Sequence, residues 1–133
     1  MLGEQIGEFS GIITSQRVLD IKDRPSIEAT VNAGNMMNIK VTTTITYWNV
    51  RRSSGAMYGE GQGIITTKEG EIATSKAQGV GNINARGDVK WRGSIFYTSS
   101  SIGKLSFLNN LVVVFETDVD CTGNVQEKVW QWK

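Results

Sequence analysis

The sequence predicts an all-β fold: an eight-stranded antiparallel up-and-down barrel with one short helix between strands six and seven. β-Branched and aromatic residues recur in runs of alternating character, and turn residues separate these runs. Proline occurs once, at Pro25, and helical periodicity is almost absent. Because the connections are short, consecutive strands are expected to pair as antiparallel neighbours.

The eight predicted strands follow directly from the runs. They cover residues 8–19, 26–33, 38–50, 56–67, 71–84, 88–98, 111–120 and 125–132. Turn chemistry lies between them at 22–26, 33–35, 51–55, 68–70, 85–88 and 121–124. The exception is 99–110, where Ile102, Leu105 and Leu108 follow a serine-rich start at three-residue spacing. This spacing predicts one short helix, which would plug an end of the barrel.

Length and composition predict one β-barrel domain over residues 1–133, because no linker, composition shift or repeat divides the chain. With 14 Lys plus Arg against 13 Asp plus Glu, the chain has no strong field for nucleic acid or an anionic membrane. We therefore expect neither as a partner. The longest apolar run, 111–115, is far too short to span a bilayer, and the first residues do not resemble a secretory leader.

Histidine is absent, and Cys121 is the single cysteine. Ser-His-Asp and Cys-His catalysis, and zinc sites that need histidine, are thereby excluded. A lone cysteine forms no intramolecular disulfide, so we expect a cytoplasmic protein. Glu116 and Asp118 share a strand face, but the alternation places that face outside. We therefore assign no catalytic residue, no metal ligand and no cofactor.

Alternation in strands three to seven assigns the odd-numbered residues to the inner face, and in strand six Phe96 is the one misfit on the outer face. Several glycines fall on this inner face: Gly59, Gly61, Gly63, Gly79 and Gly81. No helix follows them, which argues against a phosphate-binding loop. Such small residues either make room for neighbouring aromatic rings or leave a cavity.

Both alternatives remain open at this point. In one, Trp91 and Tyr97 cover the glycines and fill the lumen. In the other, inward aromatic and polar side chains line a pocket for an apolar ligand with one or two polar groups. The candidate ligand-binding residues are Tyr47, Trp91, Tyr97, Thr43, Ser75 and Thr117.

From residue 58 onward the chain resembles a family of small uncharacterised bacterial proteins. The segments that carry the resemblance are "YGEGQGIITTKEGEIATSKAQGVGNI", "GDVKWRGSIFYTSS", "LNNLVVVFETDVDCTGN" and "WQWK". The fold of that family is similar to the allene oxide cyclase barrel. The resemblance implies an eight-stranded antiparallel barrel of calycin-like appearance that often assembles into oligomers. It does not carry over the cyclase reaction, because the pocket carboxylate and water-holding residues of that enzyme match no positions here.

Three functions are consistent with this pattern. The first is binding of a small, largely apolar molecule in the lumen. The second is an isomerase or cyclase acting on a lipid-like substrate, which requires an inward carboxylate or tyrosine hydroxyl with a shifted pKa. The third is a structural barrel without a ligand that forms homo-oligomers through outward Trp48, Tyr58 and Phe96.

Overall fold

The computed structural model describes residues 2–20, 26–52 and 54–133, with side chains throughout these ranges except at 20 and 26–33. Eight antiparallel strands form a closed barrel in sequence order, and the last strand pairs with the first. The strands are β1 (Leu2–Asp20), β2 (Ser26–Met36), β3 (Ile39–Arg51), β4 (Met57–Thr66), β5 (Ile72–Ile83), β6 (Val89–Ser99), β7 (Val112–Val119) and β8 (Asn124–Trp132). The predicted fold class is confirmed.

Positive backbone φ angles mark the tight turns. Gly55, Gly70, Gly87 and Gly123 have φ between 88° and 92°, a region that glycine adopts without steric cost. The turn predicted at 22–26 lies almost entirely outside the described residues.

The turn predicted at 33–35 is wrong, because these residues belong to β2. The chain reverses two residues later, where Met36 pairs with Ile39. The two residues between them, Met37 and Asn38, have φ angles of 48° and 63°. This geometry is that of the two-residue hairpin turn whose twist matches paired strands, and Asn tolerates it well.

The predicted helix between β6 and β7 is a single 3-10 turn, Ser106–Leu108. Leu105 and Leu108 are fully buried in the core, whereas Ile102 is 99% exposed. Two of the three spaced residues therefore face inward, and together they close one end of the barrel. The β5–β6 and β7–β8 turns lie at the opposite end.

The predicted face assignment holds along the described strands. On β6, Trp91, Ile95 and Tyr97 are buried, and Phe96 is 50% exposed. On β7, Val113 and Phe115 are buried, whereas Glu116 and Asp118 are exposed. Inward side chains thus form one core that fills the closed end and extends along the lumen.

Candidate functional site

A cavity of about 100 Å³ lies inside the barrel and is lined by residues of β1 and of β3 to β8. It exists because the inner faces of β4 and β5 carry few large side chains. All six residues predicted from the sequence line this cavity: Thr43, Tyr47, Ser75, Trp91, Tyr97 and Thr117. The structure thus brings them together, and their role in ligand binding stays a prediction.

Aromatic side chains pack closely against several of the inward glycines. A Cβ atom on Gly59 or on Gly81 would lie 2.9 Å from the indole of Trp91. One on Gly61 would lie 2.9 Å from Cβ of Tyr47. A residue larger than glycine would displace these neighbours. Aromatic residues thus cover some of these glycines without filling the lumen, because a cavity remains beside them.

The aromatic wall is ordered by edge-to-face packing. The rings of Tyr47 and Trp91 have centroids 6.1 Å apart and an interplanar angle of 76°, a favoured geometry for aromatic pairs. Burial raises the pKa of the Tyr47 hydroxyl. Burial, and then the nearby carboxylate of Glu127, raise the pKa of Tyr97 well above its usual value. Both phenols therefore stay protonated at neutral pH and are available as hydrogen-bond donors.

Glu127 on β8 is the ionisable carboxyl group of the lumen. Its side chain lines the cavity, and the hydroxyl of Thr117 on β7 donates a hydrogen bond to its Oε2 atom at 2.5 Å. Burial raises the pKa of Glu127 to about 7, although the bond from Thr117 acts in the opposite direction. The side chain remains partly accessible because the cavity admits water-sized molecules, but the surrounding protein still removes bulk solvent from the carboxyl group. Near pH 7 it holds a proton about half of the time.

Sequence reasoning missed Glu127 because the inward face was assigned only for strands three to seven. The signal is present in β8, where Val125 and Val129 are buried on either side of Glu127. The same odd-numbered alternation would have placed the carboxyl group inside.

Another polar group, the hydroxyl of Thr43, lies on the wall of the lumen opposite Thr117. Because β3 and β7 lie across an eight-stranded barrel from each other, Thr43 and Thr117 stand on opposite sides of the lumen. The hydroxyl of Thr43 is buried without a hydrogen-bond partner among the described residues. An unpartnered buried hydroxyl is costly, so a water or a ligand atom there would stabilise it.

The other reactive side chains considered from the sequence, those of Glu116, Asp118 and Cys121, lie outside the lumen. Glu116 is exposed on the outer face, with a carboxylate oxygen 3.9 Å from Arg92, and Asp118 is exposed beside it. Cys121 is an exposed free thiol. Over the described ranges, no cluster of acidic and cysteine side chains is arranged to hold a metal ion, and no helix is long and apolar enough to cross a membrane.

Comparisons with known proteins support the fold alone. No model of a known protein family matches the sequence, and no curated protein matches it either. Among solved structures, the barrel is similar to the conserved protein of unknown function RPA1785 from Rhodopseudomonas palustris. The TM-score is 0.75 at 11% sequence identity, over 98% of this chain and 97% of the other. The chain therefore shares a complete barrel fold with an uncharacterised bacterial protein.

Proposed function

We propose that this protein binds a small, largely apolar molecule in the lumen of its barrel. The observation that supports this function is the cavity, in which an aromatic and aliphatic wall surrounds a few polar groups. This is the usual composition of a small-molecule site, where the apolar wall provides affinity and the polar groups orient the ligand.

The volume of the cavity limits the size of the ligand. About 100 Å³ is less than the roughly 150 Å³ of an engineered cavity that binds benzene, and less than the ~300–1,000 Å³ of drug-sized pockets. A short branched chain is closest to this size, and a single ring enters only if side chains of the wall shift slightly. A long-chain fatty acid does not fit without movement of the wall.

Trp91 makes the proposal measurable, because it lines the cavity. Titration with toluene and with 3-methylbutanol should change tryptophan emission and raise the melting temperature, since a ligand of the folded state stabilises it. Ala77→Leu fills the lumen from β5 and should abolish both effects. Thr74→Leu is the matched control, because Thr74 is exposed on the same strand. Unchanged emission and melting temperature with both molecules would refute lumen binding.

Glu127 favours a second candidate, an isomerase-type enzyme. An inward carboxyl group with a pKa of about 7 exchanges protons readily at neutral pH, as a general base must. The carboxylate would remove a proton from the carbon next to a carbonyl group and return it elsewhere on the same molecule. A small cyclic ketone in D₂O should then incorporate deuterium faster with the wild-type protein than with Glu127→Gln. Equal exchange rates would refute this candidate.

We also propose three further properties, which concern the family, the cellular location and the oligomeric state. Kinship with allene oxide cyclase-like barrels is supported by the eight-stranded closed topology. A cytoplasmic location is supported by the single cysteine. Homo-oligomer formation is supported by Phe96, half exposed on the outer face, and light scattering that gives the monomer mass at micromolar concentration would contradict it.

A further inference from the structure

The carboxyl group of Glu127 lies in the lumen, and no cationic side chain in the described part of the chain pairs with it. Among the described residues, no Lys or Arg side chain lines the cavity, and the hydroxyl of Thr117 is the one hydrogen-bond donor that contacts the carboxylate. Burying a carboxylate without a counter-charge is unfavourable, so ionisation of Glu127 is disfavoured. A ligand that brings a positive charge would remove this penalty.

The surrounding wall is suited to the same kind of ligand. Five aromatic residues line the cavity around Glu127: Phe9, Tyr47, Trp91, Tyr97 and Phe115. Phe9 is the strand partner of Glu127 on β1, and Phe115 precedes Thr117 on the inner face of β7. The faces of aromatic rings attract organic cations, and protein sites for ammonium ligands are commonly built from them.

We propose that the lumen of this barrel takes a small organic amine in its protonated form, with the ammonium group at Glu127 and Thr117 and the apolar body against the aromatic wall. This inference rests on the proposed function and specifies its ligand class. An ammonium group has three donors and no acceptor, which complements a carboxylate that accepts one bond from Thr117.

Binding of such a ligand must be linked to pH. Thr117 from β7 donates to the carboxyl group, the protonated phenol of Tyr97 from β6 interacts with it electrostatically, and Phe9 from β1 and the protonated phenol of Tyr47 from β3 line the same cavity. Glu60 on β4 also borders the cavity, but its carboxylate is exposed and accepts a hydrogen bond from the hydroxyl of Tyr58 on the outer face. None of the lumen hydroxyls ionises near neutrality, so Glu127 dominates the linkage. The affinity for an amine should rise with pH through 7, because Glu127 loses its proton in this range. The amine itself keeps its proton, since its pKa is ~10.

Three probes with the same branched body separate the possibilities: 3-methylbutylamine, 3-methylbutanol and 3-methylbutanoate. Titration calorimetry at pH 6 and pH 8 should give the tightest binding for the amine at pH 8. Its affinity should be about tenfold weaker at pH 6, because the ionised fraction of a group with a pKa of about 7 falls about tenfold. The alcohol should change little, and the carboxylate should bind weakest.

Glu127→Gln should abolish the preference for the amine and its pH dependence, so that the amine binds no more tightly than 3-methylbutanol at pH 8. Glu116→Gln is the control, because this carboxyl group is exposed on the outer face of β7. Thr117→Val gives a second, independent readout. Loss of the bond that lowers the pKa of Glu127 should move the pH midpoint of amine binding upward.

The outcomes distinguish this inference from the proposed function. If 3-methylbutanol binds at least as tightly as the amine at pH 8, or if Glu127→Gln keeps the preference for the amine, the amine inference is wrong and lumen binding stands. If none of the three molecules binds, both are wrong.

Discussion

Glu127 connects the protonation state of the lumen to the stability of the fold. In the folded chain its carboxyl group is protonated below a pKa of about 7, whereas in the unfolded chain the ordinary value is 4.5. Between these values the folded state therefore binds more protons than the unfolded state. The contribution of Glu127 is favourable at low pH, and it is lost as the pH rises towards 7.

We therefore expect the unfolding free energy of the ligand-free protein to fall by about 3 kcal/mol between pH 4.5 and 7 through this one group. Glu127→Gln should remove this slope and leave the variant more stable than the wild type at pH 8, because glutamine stays neutral. Urea titrations at pH 5, 6, 7 and 8 measure the effect, with Glu116→Gln as the exposed control. Parallel profiles for the wild type and Glu127→Gln would show that the carboxyl group is well solvated.

Gly81 tests how closely the indole of Trp91 packs against the wall of the lumen. An added Cβ would lie 2.9 Å from Cδ2 of Trp91, and the flat ring has no flexible end that yields. We expect Gly81→Ala to destabilise the fold by about 1–3 kcal/mol, as overpacked cores do. Gly34→Ala is the control, because the nearest atom there is 3.8 Å away, and it should be neutral or slightly stabilising. Equal effects in chemical denaturation would mean that Trp91 moves aside freely.

At the scale of elements, the connection between β6 and β7 is held by a carboxylate from another strand end. Glu71, next to β5, accepts hydrogen bonds from the hydroxyl of Ser101 and from the backbone N–H groups of Lys104 and Leu105. The bond from Ser101, followed by that from Leu105, lowers the pKa of Glu71. The carboxylate thus orients the segment that carries Leu105 and Leu108 into the closed end.

We expect Glu71→Ala to loosen this segment while leaving the strands paired. Hydrogen exchange at the amides of Lys104 and Leu105 should become faster, and the melting temperature should fall. Glu69→Ala is the matched control, because Glu69 is exposed and contacts only the ammonium group of Lys104, at 3.6 Å, among the interactions the structure describes. Its removal should change little, since surface ion pairs contribute weakly. Equal exchange in both variants would contradict the role assigned to Glu71.

The same comparison of elements shows what could be predicted from sequence. The alternation of residue types predicted the strands and the side of the sheet to which their side chains point. Even the outward position of Phe96 was therefore predictable. The β2–β3 turn was not, because Met37 adopts a positive φ that its residue type disfavours. Ile102 was assigned by spacing alone, but only a helix longer than one 3-10 turn would have turned it inward.

The candidate site was predictable in part. The six lining residues follow from which face points inward, and this is a local property of each strand. The volume of the cavity and the unpartnered hydroxyl of Thr43 are not local, because they depend on how strands from opposite sides of the barrel approach each other. Glu127 lies between these cases. The alternation in β8 predicts that its side chain points inward. Its raised pKa could not be predicted without knowing the apolar wall around the carboxyl group.

At the scale of the whole molecule, closure of the sheet makes each strand depend on both neighbours. β1 pairs with β8, where Gly7 opposes Val129, so the first and last segments of the chain complete the same wall. Val129 is fully buried at this seam. Because strand pairing continues around the whole barrel, a group of strands that separates from the rest loses its hydrogen bonds at two edges and leaves two unpaired edges behind.

We therefore expect a single cooperative unfolding transition over residues 1–133, as for one domain. Far-UV circular dichroism reports the strands, while tryptophan emission reports Trp91 in the lumen and Trp130 on the strand that closes the barrel. The two signals should give the same midpoint in urea. Leu105→Ala removes a fully buried side chain at the closed end and should lower the stability by about 2–5 kcal/mol. Both midpoints should then move together, because the closed end and the lumen share one core. Separate midpoints, in the wild type or in the variant, would show that one end of the barrel opens independently.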